Sequence, residues 1–90
     1  MATTTEAEIF GRIFEPEKPN LSAAAARSIL RLDFRPDDRR RMNALAEKAR
    51  KGALSSDEDQ ELNDYIRVGQ LLAIMQSKAR QSLKKADGTP

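Results

Sequence analysis

Cysteine and histidine are both absent from this chain of 90 residues. Without them the ordinary zinc, iron–sulfur, haem and thiolate sites have no ligands. Only oxygen-ligand metals such as magnesium stay open in principle. No Ser or Thr has a His to activate it. The four glycines stand apart, at 11, 52, 69 and 88, so no loop cradles a phosphate. No enzyme activity, cofactor or small-molecule substrate is therefore expected. Apolar runs are short, far below the roughly 18 residues that would span a bilayer. The opening "MATTTEAEIF" lacks the basic start and apolar run of a signal peptide. With zero Cys, this predicts a cytoplasmic protein. No run alternates β-branched and polar residues, which argues against any strand. A chain this short buries only about 60–65% of its unfolded surface, and no disulfide steadies it. A protein partner or homodimer is the usual remaining help.

Charge is plentiful, and it comes in blocks. Residues 1–20 carry −2, 21–51 carry +5, 52–64 carry −5 and 65–90 carry +4. The net +2 is thus a poor guide to nucleic-acid binding, and the distribution has to decide.

The elements read as helices throughout. Thr5 and Glu8 form a capping box, and Ile9, Phe10, Ile13 and Phe14 follow on one face. "EPEKPN" ends that short amphipathic helix, because Pro16 and Pro19 cannot continue it. Ser22 caps "AAAARSILRL", in which Ile29 and Leu30 face inward. Asp33–Arg35 is a connector, with Phe34 tucked into the core. Pro36 suits the first turn of a third helix, Asp37 and Asp38 complement its positive end, and Met42, Leu45, Ala46 and Ala49 make its inner stripe. Gly52 is its C′ residue. Ser55 with Glu58 opens a last helix that runs to about Lys85. Its stripe is Tyr65, Val68, Leu72, Met75 and Ala79, widened by Leu62, Ile66, Leu71, Ile74 and Leu83. The central "VGQLLAIM" is apolar around much of its circumference and calls for cover from more than one side.

The expected fold is all-α: a small helical bundle or hairpin of about four helices with a long C-terminal one and no sheet. It forms one domain over residues 1–90. Residues 1–20 hold the amphipathic helix and its Pro-containing linker, residues 21–85 a three-helix core, and residues 86–90 a disordered tail. Residues 1–4 are expected to be loose.

Several patterns suggest chemistry, and each has a plainer reading. Asp57, Glu61 and Asp64 share a helical face, but an exposed first turn offers no cleft to tune a carboxylate, so a solvated helix start is favoured. The acidic start and basic end of the last helix suit its macrodipole. Arg39, Arg40 and Arg41 fan over about 200° and make no single surface. A helix-turn-helix over 36–75 would present "SSDEDQE" to DNA, which phosphates repel. Lys78, Arg80, Lys84 and Lys85 are the better nucleic-acid candidates, with no aromatic to stack on bases. Gly69, inside the last helix, costs about 1 kcal/mol relative to Ala and suggests close packing there.

The string from Leu21 to Leu83 resembles a group of small bacterial helical proteins whose role is uncharacterised. The resemblance rests on a Leu-Ser helix start, Asp-Phe, an Arg-Met helix, a Gly-x-Leu-Ser cap and the ending "LLAIMQSKAR". Such proteins are often encoded beside HNH-type or similar nucleases. The resemblance implies an antitoxin-like or accessory companion of a toxin or nuclease, and it carries over no functional residues. Arg35 departs from the expected Ser or Thr cap. The function expected is non-catalytic protein–protein interaction through Ile9, Phe10, Ile13, Phe14, Leu72 and Met75. The alternative is backbone-directed nucleic-acid binding by the basic C-terminal helix.

Overall fold

Three hydroxyls start three of the helices. Thr5 Oγ1 accepts from the Glu8 N–H at 3.2 Å, Ser22 Oγ from Ala25 at 3.1 Å, and Ser55 Oγ from Glu58 at 3.1 Å. At Ser55 the box is complete, since Glu58 accepts from the Ser55 N–H at 3.0 Å. At Thr5 the hydroxyl instead donates to the Glu8 carboxylate. The computed structural model describes residues 3–88. The expected loose start and disordered tail therefore fall partly outside the described residues. Residues 87 and 88 continue as a turn.

The protein is all-α, with four helices and no strand among the described residues. They are α1 (Glu6–Phe14), α2 (Ala23–Leu30), α3 (Pro36–Arg50) and α4 (Ser56–Ala86). The ends follow from local chemistry. Glu15, after α1, takes a left-handed φ of 52°, and Pro16 stops the helix. Pro36 is the first residue of α3, and Arg35 makes no side-chain cap. Past α3 the Ala53 N–H reaches Lys48 O at 2.9 Å and the Gly52 N–H reaches Ala49 O at 3.1 Å. This is a Schellman ending, and it needs the positive φ of 66° that Gly52 supplies.

The chain divides into two compact units, one of residues 1–32 with 70–90, the other Asp33–Gly69. The first, the terminal unit, holds α1, α2 and the last part of α4. In it α2 runs antiparallel to α4. Leu21 N–H donates to Ser82 Oγ at 3.2 Å, while the Gln76 amide donates to Leu32 O at 2.8 Å and to Ile29 O at 3.3 Å. Ala26 and Ala79 are fully buried, small enough to bring the helices close.

The second, the central unit, is an antiparallel helical hairpin. Partners descend α4 as they ascend α3: Tyr65 with Asp38, Glu61 with Arg41, Glu58 with Lys48. Leu45 is its one fully buried apolar side chain. Met42 and Ala46 are half-buried, as the expected stripe requires. Ala49, expected beside them, is exposed in the last turn, where the chain leaves for the connector. Ile66 and Val68 also depart from expectation, at 49% and 52% exposed. In the hairpin, α4 faces α3 along Glu58, Leu62 and Tyr65, and Ile66 and Val68 lie roughly a quarter turn to either side.

Candidate interaction surfaces

The apolar face of α1 is expected either to fold back as a lid on the long helix or to dock on a partner, and packing splits it. Phe10 and Phe14 stack on each other, 5.3 Å between ring centres and 13° from parallel, and both are half-buried. Ile9 and Ile13 stay outside, Ile13 at 75% exposure. With Glu6, Phe10 and Leu71 they line a shallow apolar depression of about 290 Å³. The physical reason is angular: at 100° per residue, Phe10 and Phe14 lie about a quarter turn from Ile9 and Ile13. Leu72 and Met75 are half-buried within the same unit.

The basic candidates divide as well. Lys78 is only 6% exposed, its ammonium donating to Phe14 O at 2.7 Å and lying 4.6 Å from the centre of the Phe14 ring. It closes the C-terminus of α1, satisfying an end carbonyl and adding a cation–π contact. Lys78 therefore leaves the nucleic-acid set. Arg80, Lys84 and Lys85 are exposed, and none forms an ion pair among the described residues.

Sequence reasoning missed the work of Gln76 and Ser82. Gln76 closes the end of α2, and the buried Ser82 receives the chain just before α2 begins. The signal was there: these polar residues share a face with Met75 and Ala79 at spacings of 3 and 4, where an amphipathic helix should be apolar.

In the central unit the three consecutive arginines do fan apart. Arg39 pairs with Asp33, Arg40 with Asp37 and Arg41 with Glu61. Arg41 meets Glu61 with two bonds of 2.8 Å, a bidentate pair that holds the Glu61 carboxyl below its ordinary range. Glu58 is held down to about 2, first by the bond from Lys48 at 2.5 Å, then by the Ser55 N–H. On the face of Asp57, Glu61 and Asp64, two members are spent on ordinary ion pairing, Glu61 with Arg41 and Asp64 with Arg67, and Asp57 is exposed. Among the described residues no three His, Cys, Asp or Glu side chains are placed to hold a metal ion.

Phe34, expected in the core, is only half-buried and meets Tyr65 edge-on, 6.2 Å between centres. With Val68 the two rings floor an open cleft of about 350 Å³, rimmed by Asp38, Glu61 and Asp64. Tyr65 OH donates to Asp38 at 2.8 Å, a bond that, with burial, raises the phenol above its ordinary range. The sequence places two of its four aromatics here, one in a connector and one on α4, and nothing in the spacing shows that they meet.

No described helix is long and apolar enough to cross a membrane. No family model, curated protein or solved structure matches the chain.

Proposed function

We propose that the protein is a non-catalytic interaction module that binds a partner protein through the outer flank of α1. The observation that carries this reading is the exposure of Ile9 and Ile13 beside an apolar depression, in a unit whose fully buried apolar side chains are two alanines. Large apolar side chains left out next to so thin a core favour burial against something else. Phe10, Phe14, Leu72 and Met75 are half-buried in the same unit. The resemblance to small bacterial proteins encoded beside nucleases adds the proposal of an antitoxin-like or accessory role, in the cytoplasm, with a nuclease or toxin as the partner.

The exposure of Arg80, Lys84 and Lys85 favours a second reading, contact with a phosphate backbone, now without Lys78. One experiment separates the two. The tagged chain and an Ile9→Asp/Ile13→Asp variant are used as bait in lysate, with and without added nuclease. A single protein captured in both nuclease conditions and lost with the variant supports the α1 reading. Capture abolished by nuclease digestion, indifferent to the variant but lost when Arg80, Lys84 and Lys85 become Glu, moves the assignment to nucleic acid.

A further inference from the structure

The cleft of the central unit is a different surface from the α1 flank, and its chemistry is more specific. Its floor is two aromatic rings and an aliphatic side chain, Phe34, Tyr65 and Val68, the last 52% exposed. Its size, about 350 Å³, is at the lower end for ligand sites and suits one long side chain rather than a cofactor. The rim carries three carboxylates. Two of them have cationic partners inside the unit, Glu61 with Arg41 and Asp64 with Arg67. Asp38 has none among the described residues, where its one side-chain bond is from the neutral phenol of Tyr65, at 2.8 Å. A carboxylate accepts about four hydrogen bonds, so Asp38 can take more than the one from Tyr65.

An apolar aromatic floor beneath a half-buried carboxylate that no cationic side chain pairs complements an amphipathic cation. We propose that this cleft receives an arginine side chain of a partner protein, its stem lying on Val68 and Phe34, its guanidinium stacked against Tyr65 and bonded to Asp38. Arginine suits the cleft better than lysine. Its planar fork stacks on a ring and donates to a carboxylate at once, and it is more weakly hydrated than an ammonium. The charge also sets a preference: with no cationic side chain paired to Asp38, an acidic side chain is repelled from the same floor.

The test uses the full chain, isotopically labelled, titrated with N-acetyl-arginine amide and followed by amide NMR. N-acetyl-citrulline amide, of the same shape without the charge, is the control. The expected result is saturable shifts at Phe34, Asp38, Tyr65 and Val68, with citrulline binding about fivefold more weakly. Asp38→Asn should weaken arginine binding by a similar factor. Equal binding of the two compounds, or shifts scattered elsewhere, would overturn the proposal even if a variant failed to fold. Concentration-dependent shifts at these residues with no compound added would place a second copy of the chain in the cleft and overturn the assignment to a different protein. An Ile9→Asp/Ile13→Asp chain should bind the arginine compound unchanged, so the two proposals fail separately.

Discussion

Lys78 is the residue whose role changed most between sequence and structure. Its stem is buried, and its ammonium satisfies the last carbonyl of α1. Lys78→Ala should lower unfolding stability by about 1–3 kcal/mol, because it removes both the packing and the bond to Phe14 O. Lys78→Met keeps the packing and should lose less; urea denaturation of the three proteins gives the order. Glu58 makes a pH prediction. Its folded carboxyl sits at about 2 against an ordinary 4.5, through the Lys48 bond first and the Ser55 N–H second. A lowered folded value means the stabilisation is fully present above about pH 4.5 and is lost as pH falls towards about 2. Asp33 and Glu61 are lowered too, so the wild type loses stability from several groups in that window. The comparison is therefore thermal melting of wild type and Glu58→Gln from about pH 6 to about pH 2. The gap between them should close at the acid end.

The helices owe their limits to a few residues that can be tested singly. Gly52 holds a φ of 66° at the end of α3, and the Schellman bonds depend on it. Gly52→Ala should cost about 1 kcal/mol in chemical denaturation. Gly69 is the opposite case. The expectation of close packing there is met only loosely, since an added methyl would find Phe34 at 4.0 Å, an ordinary contact. With no strain to offset the gain, Gly69→Ala should stabilise α4 by about 0.5–1 kcal/mol. A decrease would mean that glycine serves some motion of the helix. Arg41 and Glu61 tie α3 to α4 through a fork, but both are partly solvated. Replacing either should lower the melting temperature slightly, and added salt should mask the loss.

Among the described residues the fully buried apolar side chains are Ala26, Leu45 and Ala79, two of them the smallest available. So little core implies modest unfolding free energy, about 5 kcal/mol or less for the free chain. A partner that covers Ile9 and Ile13 should raise the melting temperature by mass action. Ile13→Glu should leave the free chain's melting nearly unchanged, because Ile13 is 75% exposed, and should abolish the rise on adding the partner. Differential scanning fluorimetry with and without the partner reads both effects.

The all-α class and the limits of α1, α3 and α4 were legible in the sequence because they rest on local signals. The hydroxyl caps at Thr5, Ser22 and Ser55, the prolines at 16 and 36 and the glycine at 52 act within one turn of themselves. Amphipathic spacing also identified the buried Leu45 and Ala79. Spacing cannot say which flank of an apolar face will be covered, since that depends on a neighbour distant in sequence. Spacing therefore groups Ile9 with Phe10, and Val68 with Tyr65, although packing separates each pair. Long-range polar partners were equally hidden: Lys78 with Phe14, Gln76 with Leu32, and Tyr65 with Asp38 lie 64, 44 and 27 residues apart. Only tertiary folding brings such groups together. It also decides which charges are used up inside the units and which, like Arg80 and Asp38, are left for something else to meet.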